Sequence, residues 1–151
     1  MSVHNLHLTD VDIGFYDSRA RLQPPLRQQR DREALRAGLA DGTIDALVSD
    51  HNPVDADAKV LPFAEAEPGA TAVELLLGLA AKWAQQDGLG LMQALTVLTS
   101  GPQGVLGGAL GTLQHSVGQI SVGGSADLCL FDPNASWAVD PAALRLSLIH
   151  I

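Results

Sequence analysis

Apolar and polar residues alternate along this chain with three different textures. Between Asp31 and Ala40, apolar Ala34, Leu35 and Leu39 are spaced among charged residues, with acids early and Gly42 just past the end. This predicts a helix over 31–40 closed by a glycine, because acids favour the positive end of the helix dipole and glycine adopts the left-handed turn that ends it. Thr43-Ile44-Asp45-Ala46-Leu47-Val48 is short, apolar and rich in β-leaning residues, which predicts a buried parallel strand. Its carboxyl end releases Ser49-Asp50-His51-Asn52-Pro53-Val54 into a loop, the place where α/β enzymes carry their chemistry.

Further along, Thr71-Ala72-Val73-Glu74 has the spacing of a capping box, predicting a helix that runs to about Gln86 and stops at Gly88. A second helix is expected over 89–98, ended by Ser100-Gly101-Pro102, since proline disfavours helical geometry in the residue before it and lacks an amide donor. The run Leu75-Leu76-Leu77 with Leu79 and Trp83 reads as the core face of the first of these helices.

From Gly107 onward glycines separate short apolar runs, notably Val117 to Val122 and Ser125 to Phe131, with Gly123-Gly124 between them. They read as a small β unit whose few strands complete a sheet begun elsewhere. On this reading Cys129, between Leu128 and Leu130, is a buried strand residue rather than a reactive thiol. Gly107-Gly108-Ala109-Leu110-Gly111 lacks the following Lys-Ser/Thr of a phosphate loop.

Composition narrows the function. With 151 residues, 46% of them hydrophobic, the chain can bury one ordinary core, but it is too short for a complete eight-stranded barrel of roughly 250 residues. The formal charge is −8, and Arg19, Arg21, Arg27, Arg30, Arg32 and Arg36 are interleaved with acids and glutamines, so a nucleic-acid partner is not expected. A single cysteine excludes an internal disulfide and suits a cytoplasmic protein. The start lacks the basic and apolar regions of a secretion signal, and the longest apolar stretch, Val73 to Ala81, stops at Lys82; neither export nor a membrane span is expected.

Five ordered motifs then carry a family resemblance: His4-Asn5-Leu6-His7-Leu8-Thr9-Asp10, Gln23-Pro24-Pro25-Leu26-Arg27, Asp31-Arg32-Glu33-Ala34-Leu35, Asp41 to Ala46, and Ser49-Asp50-His51-Asn52-Pro53. In order and spacing they resemble the C-terminal part of dihydroorotases of the amidohydrolase superfamily, and Gly118 through Pro133 is similar to that family's β-sandwich segment. The resemblance implies an α/β fold: the last portion of a (β/α)₈ TIM-type barrel over 1–106, a segment of a composite β-sandwich over 107–144, and a tail over 145–151 that departs from the family. It also implies zinc chemistry, the reversible cyclisation of N-carbamoyl-aspartate to dihydroorotate, in which a metal-bound hydroxide attacks and a carboxylate moves protons.

Residue by residue, the resemblance gives Asp50 the position of the carboxylate that touches metal and acts as general base. Taken alone, an aspartate after a strand is more often a turn or capping residue. The family's other metal ligands, including a His-x-His pair, have no counterpart here, so no cofactor is expected in this chain although the family uses zinc. Four positions correspond to substrate contacts. Gln23 replaces an asparagine, Val54 a histidine and Pro68 a phenylalanine, while Gly69 is retained. Val54 can neither donate a hydrogen bond nor carry charge. This pattern resembles the non-catalytic dihydroorotase homologues that assemble with aspartate transcarbamoylase, which implies that partner and an oligomeric parent; the alternative is part of an active zinc dihydroorotase or related cyclic amidase. Among the histidines, His4 and His7 at x₂ spacing read as structural in the absence of acidic or cysteine partners, His51 is open between loop and functional roles, and His115 reads as exposed loop.

Overall fold

The segment Ala46-Leu47-Val48 is clamped on both sides by distant parts of the chain. The Met1 ammonium donates to the Ala46 carbonyl at 2.8 Å, Val48 N–H to Met1 O at 2.8 Å and Val3 N–H to Val48 O at 2.9 Å, making a parallel bridge between Ser2 and Val48. On the other side Leu47 N–H donates to Val97 O at 2.9 Å. These bonds come from a computed structural model that describes residues 1–115, 117–118 and 120–145. The tail expected over 145–151 lies outside the described residues except for Arg145.

Helices surround this clamp. They are α1 (His4–His7), α2 (Gln29–Asp41), α3 (Ala56–Lys59), α4 (Leu76–Gln86), α5 (Leu91–Thr96) and α6 (Ser100–Leu106). The prediction for α2 holds: the Asp31 carboxylate accepts the Gln28 N–H at 3.2 Å, and Gly42 closes the helix at φ 82°. On α4, Leu76, Leu79, Ala80, Trp83 and Ala84 recur at three- and four-residue steps, the stripe that a 3.6-residue period turns onto one face. That stripe joins Val3, Leu6, Leu39, Leu47, Ala94 and Val97 in a single core, with Trp83, Leu6, Leu39 and Val3 fully buried. Side chains then tie the helices together. Arg36 of α2, its side chain largely shielded, pairs with the exposed Asp87 after α4 at 2.6 Å, and Arg32 donates to His7 O at 3.0 Å.

Four expectations need correction. The strand over 43–48 is reduced to one bridge, because a parallel strand exists only where neighbours supply its ladder, and here only residues 1–3 and Val97 do so. No capping box forms at Thr71: α4 is preceded by a 3₁₀ turn, Val73–Leu75, and the amides of Ala72 and Val73 are taken by His51. The second helix is shorter than expected, Leu91–Thr96. Pro102 does not stop a helix; it occupies the first turn of α6, where its missing N–H would lack an intrahelical partner in any case.

The largest difference lies beyond Gly107. The chain enters a 3₁₀ run, Gly107–His115, and among the described residues of 107–144 no strand forms. The turn at Gly123-Gly124 is present, with Gly124 N–H donating to Ser121 O at 3.0 Å, but the flanking runs stand open: Ile120, Val122, Leu128 and Leu130 are all exposed. Cys129 is exposed too, contrary to its expected burial. Alternating strands are stable only when one face is covered by another layer, and among the described residues none covers these runs.

Candidate functional site

Asp50 leaves the clamped segment with φ at 50°, in the left-handed region that aspartate tolerates better than most residues. It is half-buried beside His4 of α1. Burial holds the His4 imidazole below its ordinary pKa, while the Asp50 backbone and the nearby Asp50 carboxylate pull upward and His51 pushes downward. His4 Nε2 is buried without a hydrogen-bond partner. One carboxylate and one imidazole therefore lie near each other at the end of the clamped segment.

The rest of the loop is fixed by backbone. His51 Nδ1 accepts the Ala72 and Val73 N–H groups at 3.1 and 3.3 Å, which anchors the loop to the entry of α4. Asn52 N–H donates to Ala70 O at 2.9 Å, and its side-chain Nδ2 donates to Pro68 O at 3.0 Å. Gly69 N–H in turn donates to Arg21 O at 3.0 Å. Arg21 and the stretch 52–54, far apart in sequence, thus both meet the turn 68–70 at Gly69.

Of the positions singled out from the sequence, Val54, Pro68 and Gly69 lie together; Val54 and Pro68 are half-buried and Gly69 is buried. Gln23 is exposed, two residues along from Arg21, and its peptide bond to Pro24 is cis. Asp50 reaches this cluster through Asn52. Two relations escaped sequence reasoning: His4 beside Asp50, and His51 as a helix anchor. Neither has a local signal, since each joins residues more than twenty positions apart. The side chain of His115 lies outside the description.

His7, although spaced like a metal pair with His4, is turned elsewhere; its Nε2 bonds Leu79 O at 2.9 Å. Among the described residues no three His, Cys, Asp or Glu side chains come together as a metal-binding group. Burial lowers the His7 pKa first, opposed by that bond to Leu79 and reinforced by Lys82, Arg36 and Arg32. An imidazole with a lowered folded pKa takes its proton more readily in the unfolded chain, so the stability it contributes is full above about pH 6.5 and is lost as pH falls through that value. Melting temperature should drop between pH 7.5 and 5.5, and His7→Asn should flatten that drop; identical profiles would remove His7 as the cause. Asp87, held low by its hydrogen bonds to Arg36, adds a second loss only at pH near and below about 3.9.

A sequence model of the amidohydrolase family matches residues 1–147. A dihydroorotase-like protein of Pseudomonas putida is 43% identical over 136 residues, which are 90% of this chain and 30% of that protein. A dihydroorotase of Geobacter sp. (strain M21) is 38% identical over 142 residues, 94% of this chain and 32% of that protein. Among solved structures, a D-hydantoinase (dihydropyrimidinase) from Thermus sp. superposes with a TM-score of 0.70 at 25% identity, covering 83% of this chain and 28% of that one. The chain thus spans about a third of the length of the proteins it matches.

Proposed function

The chain belongs to the amidohydrolase family, and from that premise we propose that it is the C-terminal part of a dihydroorotase-like protein of pyrimidine biosynthesis that has lost catalysis and serves as a structural partner of aspartate transcarbamoylase. In this reading residues 1–106 belong to a (β/α)₈ barrel, of which the parallel Ser2–Val48 bridge is one seam, and 107–144 belong to a composite sandwich whose other strands lie outside this chain. The protein works in the cytoplasm. Among the described residues no helix is long and apolar enough to cross a membrane.

The observation that carries the proposal is the surroundings of Val54. It packs its methyl groups toward Gly69, where Arg21 and the stretch 52–54 meet the turn 68–70, so an aliphatic surface stands where the family resemblance calls for an imidazole that holds substrate. Burying a substrate carboxylate against a group that cannot donate leaves a charge without a partner, at a cost of roughly 1–3 kcal/mol or more. Gln23 and Pro68 alter two further positions. The resident zinc of the family does not fit the donors present: Asp50 has His4 beside it, but His51 Nδ1 is occupied by two amides and His7 by Leu79. No step of a zinc reaction can be assigned to these residues alone.

The second reading, part of an active zinc dihydroorotase or related cyclic amidase, draws on the retention of Asp50 and Gly69 and on relatives named dihydroorotase at 38% identity. Dihydroorotate formation by the native protein with zinc present separates the two. We expect no turnover, and no recovery with Val54→His, because groups that act as a unit are not repaired one at a time. A rise to about 1 per second or more with Val54→His would make the enzyme reading the better one.

A further inference from the structure

Between the two halves of the candidate site the chain makes a detour. Residues 52–54 lead out of the site and 68–70 lead back, and these ends are pinned together by Asn52 N–H to Ala70 O at 2.9 Å and Asn52 Nδ2 to Pro68 O at 3.0 Å. Residues 55–67 thus form a closed loop with the site at its neck, the plan of an Ω-loop. Within it, Glu65 and Ala66 N–H donate to Pro62 O at 2.8 and 2.9 Å, and Glu67 N–H returns to Ala58 O at 3.1 Å. No described residue of 55–67 joins the core cluster around Trp83.

Besides the edge-on contact of the Tyr16 and Phe63 rings, 5.9 Å between centroids, the grip of the loop on the body is polar and falls on Ser18 and Arg21. Ser18 Oγ donates to the Lys59 carbonyl, and Lys59 Nζ donates back to Ser18 O and Arg21 O at 3.2 and 3.1 Å. Arg21 Nη1 reaches the far end of the loop, donating to Ala64 O at 2.6 Å and to Ala66 O. One atom joins this grip to the site. The Arg21 carbonyl oxygen has two lone pairs and accepts both Lys59 Nζ and Gly69 N–H, the latter at 3.0 Å. A bond from an ammonium is stronger than one from a neutral amide, so Lys59 fixes that oxygen and the oxygen fixes the turn. Gly69 in its turn packs so closely on Val54 that a Cβ would stand 2.8 Å from a Val54 methyl, and a shift of the turn is felt there.

We propose that Lys59 is a positioning residue of the candidate site: by gripping Arg21 O it sets the seat of Gly69 and Val54, and the loop 55–67 opens together with the site turn when that grip is lost. This goes beyond the proposed function and does not rest on it, since it holds whether or not the site turns over a substrate. Amide hydrogen exchange in the native protein, beside Lys59→Met and Lys59→Arg, tests it. Methionine keeps an unbranched stem and donates nothing, whereas arginine keeps a charged donor. In Lys59→Met, exchange at Gly69, Glu67 and Asn52 should rise together by at least about tenfold, while Leu47 and Val48, held in the separate clamp, keep native rates. Lys59→Arg should return most of the lost protection. Unchanged exchange at Gly69 in Lys59→Met overturns the proposal. An equal rise at Leu47 and Val48 overturns it too, because it reports a general loss of stability, and so does a rise in Lys59→Arg as large as in Lys59→Met, which assigns the effect to the stem and not to the charged donor. If Lys59→Met does not fold, Ser18→Ala decides: without the Oγ bond to Lys59 O, exchange at Gly69 and Glu67 should rise with Leu47 unchanged, and the absence of that rise overturns the proposal.

Discussion

Trp83→Ala should lower the free energy of unfolding by about 3–5 kcal/mol, the range for removing a buried aromatic side chain and leaving a cavity. Trp83 is fully buried on the inner stripe of α4, in the cluster that also holds Val3, Leu6, Leu39, Leu47 and Val97. Every layer of the fold meets there. Domains of ordinary stability hold only about 5–15 kcal/mol in total, so the variant should sit near the edge of unfolding at room temperature. Urea titration followed by far-UV circular dichroism measures the effect in both proteins, because the variant retains only Trp137, which is 59% exposed and should report little of the transition by fluorescence. A midpoint unchanged from wild type would mean that the core is not organised around α4.

Gly69→Ala should cost about 2–3 kcal/mol and loosen the loop that carries Asp50. The backbone at Gly69 has φ at 147°, a region that residues with a side chain rarely enter. Space is lacking as well: a Cβ there would lie 2.5 Å from the Asn52 carbonyl oxygen, 2.6 Å from its Nδ2 and 2.8 Å from a Val54 methyl. Two of these three atoms belong to the hydrogen-bonded Asn52, so relief requires breaking its bond to Pro68 O or to Ala70 O. Thermal melts and amide exchange at Asn52 test this. Unchanged exchange there, with an unchanged melt, would show that 50–54 is not held through Gly69.

Parts of this architecture were legible in the sequence because their signals are local. Asp31 and Gly42 bracket α2 as expected, and the Leu76-to-Ala84 spacing announces the buried face of α4 before any neighbour is known. Signals that need a distant partner misled. Thr71 and Glu74 have capping-box spacing, but the free amides go to His51, twenty-one residues earlier in the case of Ala72. Pro102 illustrates a different ambiguity, since the same absent N–H that ends one helix is harmless in the first turn of the next. For the runs from Ile120 to Leu130, alternation describes a strand that this chain cannot cover, so periodicity and exposure disagree. The candidate site was legible as motif positions through family resemblance. Its assembly was not: no periodicity relates Arg21, Asn52 and Val54 to Gly69, and no spacing places His4 beside Asp50.

The clamp on residues 46–48 also constrains how the fold can be reached. Ala46 and its partner Met1 are 45 positions apart, and Val97 lies about as far in the other direction, so no local element can form this arrangement by itself. The entropy of closing such loops grows only as the logarithm of their length, roughly 0.6 kcal/mol per doubling, yet it must be met before the bonds that reward it exist. Two long closures on one three-residue segment therefore favour a concerted event, in which Leu47 enters the core as its backbone is gripped from both sides. Such non-local pairing slows folding relative to a helical bundle of the same size. Until it occurs, α4 has only its sequence neighbour α5 to pack against, and the core these helices share with Val3, Leu6 and Leu39 depends on the seam as much as the seam depends on it.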